Sequence, residues 1–256
     1  MRLLVKLGGT LLDTAESRQR LAAEIAALAE AHQVVVVHGG GKQMTRFLNE
    51  RGVESRFVNG LRVSTPEVID AVLKVLAGTV NHELVSALYA AGAASVGLSG
   101  VDAGLAEAEP ISEELGAVGR VTSTNAKLLD LLALNGYVPV VACVAGDRAG
   151  HIYNVNADQM AVACATGFRA DRLIFLTDVD GVRGASGTRL ARLTVAECRE
   201  LVTSGVATGG MQAKLEAACL AVERGTRAVV IAPGAAADAC ARIVANEPMG
   251  TEITAE

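Results

Sequence analysis

Residues 33–42 read Gln-Val-Val-Val-Val-His-Gly-Gly-Gly-Lys. Four successive valines without polar alternation are the pattern of a strand buried on both faces. Three glycines follow, and a helix-like segment runs over 42–51. Upstream, RLLVKL (2–7) is another short β-like run ending in Gly8-Gly9. Between the two runs, 16–31 carries Leu21, Ile25 and Leu28 at helical spacing. This β-α-β-α order predicts right-handed crossovers and helices on both faces of a sheet. The expected fold class is α/β, a three-layer αβα sandwich with a central, mainly parallel sheet.

Further along, FVNGLRV (57–63) holds Asn-Gly between two apolar pieces, a strong hairpin signal. Residues 67–91 read as helical, divided into two helices near Gly78. ASVGLSG (94–100) reads as a buried strand, and 106–124 as β-structure at the surface. Helix 125–134 and strand YVPVVACV (137–144) complete another unit. In the last third, helices are expected at 157–166, 194–204, 211–224 and 235–246. Strands are expected at 171–181 and 226–234, with 249–253 as an edge strand. No linker interrupts the pattern, so 1–256 reads as one domain.

The chain has 256 residues, 51% hydrophobic and 20% charged, with a net charge of −5 and mean hydropathy of +0.36. Such hydrophobicity excludes disorder. No apolar run reaches the roughly 18 residues of a membrane span, and the first residues are too short an apolar stretch for a secretory leader. The acidic balance argues against bulk nucleic-acid or anionic-membrane binding. The five cysteines include no CxxC pair and the four histidines lack zinc-ligand spacing. They read as thiols in a reducing cytoplasm, with no metal site.

Six motifs carry candidate chemistry, and each alone also has a structural reading. KLGGT puts Lys6 in a strand before glycines whose amides a phosphate oxygen can approach. VHGGGK makes an anion site from loop amides and a helix N-terminus, or simply a generous loop. His38 reads as a packed or backbone-bonded imidazole rather than a base. NGLRV offers Arg62, suited to bidentate carboxylate recognition or to solvent. In YNVNADQ, Asn156 or Asp158 can cap a helix, or a carboxylate there can hold two lysines in position. LTDVDGV reads as a nucleotide loop or a tight acidic turn. TGGMQAK places Lys214 near a helix start, against the helix dipole unless an anion relieves it.

Taken in order, KLGGT, HGGGK, NGLRV, NVNADQ and GGMQAK resemble the amino acid kinase family, from Lys6 to the terminal MGTEI. NGLRV together with NVNADQ is the specific part. The resemblance implies transfer of the ATP γ-phosphate to the side-chain carboxylate of N-acetyl-L-glutamate, a step of arginine biosynthesis. It implies that Lys6 and Lys214 stabilise the transferring group and that Asp158 orients both. Gly40, Gly41, Arg62 and Asn154 would bind the acetylated amino acid. Gly9, Thr177, Asp178, Val179, Asp180, Gly181, Val182, Arg183, Val206, Ala207 and Thr208 would line the ATP site. ATP is then a co-substrate carrying Mg²⁺, and the acyl-amino-acid half (1–170) and the ATP half (171–256) share one sheet. A cytoplasmic homodimer is implied, without nucleic-acid or membrane partners. The chain begins at its first strand, which predicts insensitivity to arginine. GLSGVDAG (97–104) departs from the usual GLSGKDGG, so Val101 removes a cation from that loop. The alternatives are an acetylaminoadipate kinase and a silent nucleotide or amino-acid sensor of the same fold.

Overall fold

The computed structural model describes residues 1–256. Its centre is a pair of strands, β1 (Arg2–Leu7) and β2 (Gln33–His38), joined by helix α1 (Ala15–Ala29) and paired in parallel, with Lys6 opposite Val37. Thr14 caps α1 by accepting from the Ser17 amide. After α2 (Gly41–Asn49) comes the hairpin of β3 (Phe57–Val58) and β4 (Leu61–Arg62). Asn59 and Gly60 both have positive φ, the turn that Asn-Gly favours.

The segment expected as two helices does not break at Gly78. Helix α3 (Pro66–Val72) continues through a π-helical turn, Leu73–Val80, into α4 (Asn81–Ala90). The wider turn absorbs the irregularity by shifting the bonding pattern rather than ending the helix.

Strand β5 (Ser95–Ser99) leads to β6 (Ala106–Pro110), β7 (Val118–Thr124) and helix α5 (Ala126–Leu134). The single strand expected over 137–144 is two. β8 (Val138–Ala142) lies in the main sheet, while β9 (Val144–Gly146) leaves it to join β6, β7 and β10 (Ile152–Val155) in a small closed sheet. Then follow α6 (Ala157–Phe168), β11 (Arg172–Thr177), β12 (Arg192–Thr194), α7 (Val195–Thr203) and α8 (Gly209–Glu223). β13 (Ala228–Pro233), α9 (Ala239–Val244) and β14 (Thr251–Thr254) end the chain.

The main sheet has eight strands in the order β12-β14-β13-β11-β1-β2-β8-β5. All neighbours are parallel except β13 and β14. Two expectations change here. The 94–100 strand is not buried: β5 is an edge strand paired only with β8, and none of its residues is buried. The terminal strand is not the edge: β14 turns back antiparallel beside β13 and takes β12 on its outer side.

Side chains alternate across the central strands. Leu4, Val35, Val37, Leu173 and Phe175 enter one core of 35 buried residues, beneath α5, α6, α7 and α8. Leu3, Val5, Leu7, Val34, Val36, Ile174 and Leu176 enter a second core of 34, beneath α1, α2, α3, α4 and α9. Two cores of nearly equal size, one on each face of the sheet, make this a three-layer sandwich. Alternation also assigns the polar residues. Lys6 shares the face of Leu4 and points toward α6 and α8, while His38 shares the face of Val36 and points toward α4.

His38 is wholly buried. Burial pushes its imidazole down to about 4, with the Gly39 carbonyl pulling the other way. The unfolded chain takes up this proton near 6.5 and the folded one near 4. Between these values the unfolded state binds more protons, so stability falls as pH falls, by about 3 kcal/mol across the window. Urea midpoints at pH 6.5, 5.5 and 4.5 check this; His38→Asn should flatten the decline, and an equal slope in the variant refutes the assignment. The β14 turn gives a second prediction. Gly250 has φ of 69°, and a Cβ there would overlap the Ile231 carbonyl. Gly250→Ala should cost about 1–3 kcal/mol or more in urea unfolding at pH 7.

Candidate functional site

One carboxylate organises the site. Asn156 caps α6, its side-chain oxygen accepting from the Asp158 and Gln159 amides. That fixes Asp158 in the first turn, where a helix favours negative charge. Asp158 is 7% exposed and Lys6 6%. Lys6 Nζ lies 2.7 Å from Asp158 Oδ1, and Lys214 Nζ lies 3.3 Å from Oδ2. Burial pushes the Asp158 carboxyl up, but the two ammonium groups outweigh it, and the net displacement is downward. The carboxylate stays ionised and each of its oxygens faces one lysine. Lys214 lies in the second turn of α8, whose helix packs against α6. Its position against the dipole is thus offset by Asp158.

On the cavity side, Lys6 joins Gly9, Gly39, Gly40, Gly41, Arg62 and Asn154 around about 260 Å³. The two glycine loops touch: a Cβ on Gly9 would sit 3.0 Å from the Gly40 nitrogen. The amides of Gly9 and Gly40 have no acceptor within the protein. They remain free as donors.

Arg62 is buried to 9% exposure, not solvated. It donates to Gly41 O at 3.1 Å and Thr45 Oγ1 at 2.8 Å, and to Ser55 Oγ. Its guanidinium lies over the Phe57 ring, 4.6 Å from the centroid. Burial pushes its pKa down, and no carboxylate of the protein pairs with it. A buried cation without a counter-ion at a cavity wall is matched to an anionic ligand. Asn154 donates to Ser64 Oγ at 3.1 Å, which fixes its amide.

Of the residues assigned to the nucleotide, Gly9 lines this cavity and the others do not. Thr177 ends β11 and donates to Asp178 Oδ1 at 3.0 Å. Asp178, Val179 and Asp180 are exposed on the following loop. Gly181 has φ of 137° and packs against Thr251 and Arg189. Arg183 pairs with Asp180 at 3.0 Å. Val182 is fully buried and its amide donates to Thr251 Oγ1 at 2.8 Å. Ala207 is buried too, its amide bound to Leu201 O, while Val206 and Thr208 are exposed beside it. Val182 and Ala207 therefore present no side chain to a ligand.

Sequence reading missed several participants. Gln43, on α2, donates to Gly9 O at 3.0 Å and ties the two glycine loops together. Thr45 stands one turn beyond Gly41, a spacing that places both beside Arg62. Phe57, Leu76 and Cys143 also line the cavity, and nothing in their local sequence announces this.

Comparison with known proteins shows the family and the fold. The model of the amino acid kinase family matches residues 1–233. A protein of Solibacter usitatus (strain Ellin6076) described as acetylglutamate kinase is 65% identical over 254 residues, covering 99% of each chain. Among solved structures, N-acetylglutamate synthase from Neisseria gonorrhoeae, complexed with coenzyme A and N-acetyl-glutamate, superposes with a TM-score of 0.89 at 25% identity. That alignment covers 99% of this chain, which spans only 59% of the longer synthase. A carbamate kinase from Giardia has a TM-score of 0.75 at 15% identity, covering 100% and 99% of the two chains, and shows the fold alone. With the family model matched across both halves of the sheet, the chain belongs to the amino acid kinase family.

Proposed function

We propose that this protein phosphorylates the side-chain carboxylate of N-acetyl-L-glutamate at the expense of ATP. The observation that carries the reading is a cavity lined by two cations: Lys6, which shares Asp158 with Lys214 behind it, and Arg62, which no carboxylate pairs. The relative 65% identical along the whole chain supplies the substrate.

A carboxylate is already nucleophilic, so no general base is required. The obstacle is bringing two anions together, and positioning with charge neutralisation answers it. In this reading Arg62 and Asn154 hold the acetylated amino acid, with Gly40 and Gly41 admitting it close to the backbone. Lys6 and Lys214 follow charge moving onto the transferring phosphoryl group, and Asp158 keeps both ammonium groups aimed. Gly9, Thr177–Arg183 and Val206–Thr208 line the nucleotide side, with Val182 and Ala207 acting through backbone and packing alone. In this reading the half 1–170 holds the acyl amino acid and the half 171–256 most of the nucleotide, with Gly9 reaching across. No cluster of three metal-binding side chains exists; Mg²⁺ fits as part of the nucleotide substrate, held by phosphate oxygens.

A cytoplasmic homodimer completes the proposal. All five cysteines are free, as a reducing compartment requires. Tyr89 on α4, which packs on edge strand β5, and Leu131, Leu134 and Tyr137 on or beside α5, which packs on β2 and β8, are exposed, and a second copy would cover them. Light scattering should report twice the chain mass.

A hydroxamate assay with MgATP, hydroxylamine and a panel of carboxylic acids tests the reaction. Product is expected with N-acetyl-L-glutamate. Turnover of only the acid one methylene longer would move the substrate assignment, and no product with any acid would refute the kinase. Lys214→Ala should lower kcat about 10²–10³-fold with little change in KM, as for loss of one donor to a developing charge. Arg62→Lys should instead raise the KM for the acyl amino acid at least tenfold, since an ammonium cannot replace the planar fork. An unchanged KM would remove Arg62 from substrate binding.

A further inference from the structure

His38 and Asn81 stand behind the glycine loop without lining the cavity. Asn81 opens α4 directly after the π turn and is 2% exposed. Its amide nitrogen donates to Val140 O at 2.9 Å and lies 3.0 Å from His38 Nε2. A carbonyl only accepts, so this end of the side chain is the NH₂ group, and its second hydrogen goes to Nε2. Nε2 then carries no proton. The neutral ring is protonated at Nδ1, which donates to Gly39 O at 3.0 Å.

That bond sets a direction. The peptide joining Gly39 to Gly40 is trans, so its C=O and N–H point opposite ways. Holding Gly39 O against the ring turns the Gly40 N–H away from the core, toward Gly9 and the space between the loops. The surroundings leave this clamp little freedom. A Cβ on Gly97 would overlap Asn81 Oδ1, and a Cβ on Gly40 would overlap Leu76 from the π turn. The Cys143 thiol donates to the His38 carbonyl at 2.9 Å, fixing the backbone on the other side.

We propose that His38, held in its Nδ1–H tautomer by Asn81, is a positioning residue that aims the Gly40 N–H at the phosphoryl group in transfer. This rests on the kinase reading above. It adds to that reading a buried pair which touches neither substrate yet orients a donor to the transition state.

Two substitutions separate positioning from mere packing. Asparagine carries its NH₂ near the place of Nδ1, so His38→Asn keeps the donor to Gly39. Glutamine reaches the place of Nε2, so His38→Gln keeps the Asn81 contact and loses the donor. His38→Asn is expected to hold kcat within about threefold of wild type. His38→Gln should lose at least tenfold in kcat, with both KM values within twofold and a melting temperature no lower than that of His38→Asn. Ring ¹⁵N shifts of the wild type, at pH 7, should report the Nδ1–H tautomer. The Nε2–H tautomer, full kcat in His38→Gln, or equal losses in both variants would each overturn the proposal. Wild-type turnover in the hydroxamate panel is read first. If no acid is phosphorylated, the kinase reading fails and the phosphoryl target with it, whatever the ring shifts report. If another acid is phosphorylated, the kcat comparison stands unchanged.

Discussion

The structure turns on a single buried carboxylate bonded to two lysines that lie 208 positions apart in the chain. Two ammonium groups aimed at one small volume repel each other, and neither would be buried there alone. Asp158 makes the arrangement possible by facing one oxygen to each. The cost is one positive charge, since two lysines and one carboxylate leave one unit on the cluster. What is gained is direction: each ammonium is held before any substrate arrives, so little reorganisation remains for the reacting state. Removing Asp158 would leave buried Lys6 and half-buried Lys214 unpaired, so its role in stability and its role in orientation cannot be separated.

Everything around the carboxylate follows from sheet alternation and helix starts. Lys6 reaches Asp158 because it is two residues from Leu4 and so faces α6. Asp158 is available because Asn156, not Asp158, accepts the capping bonds of α6. Lys214 is available because α8 lies against α6 on the same face. One step along β1 in either direction would point the side chain into the other core.

Much of this was legible in the sequence, because it rests on local pattern. Valine runs before glycines announced β2 and the loop after it, Asn-Gly announced the β3–β4 hairpin, and Asn and Asp before an alanine-rich segment announced the start of α6. The resemblance of KLGGT, NGLRV, NVNADQ and GGMQAK to one family added which of the residues converge. What was not legible depends on partners distant in the chain. The apolar run at 94–100 looks like any buried strand, and only its place at the end of the pairing order exposes it. The continuation through Gly78 is a matter of hydrogen-bond register, which composition does not encode. Arg62 looked like a surface residue after a turn. Its burial is owed to Thr45, Ser55 and Phe57, three residues on other elements.

The charge balance illustrates the same separation of scales. A net charge of −5 describes the field many ångströms from the surface, where charges are screened over a Debye length of about 8 Å at physiological salt. At the site Asp158 lies within 4 Å of each lysine and is largely buried, so local composition outweighs the total. Glycine extends this economy. The Gly9 and Gly40 amides offer partial positive charge at a surface a phosphate oxygen can reach, without the bulk or mutual repulsion of further lysines. The acidic total and the cationic cavity are therefore compatible, because each acts over a different distance.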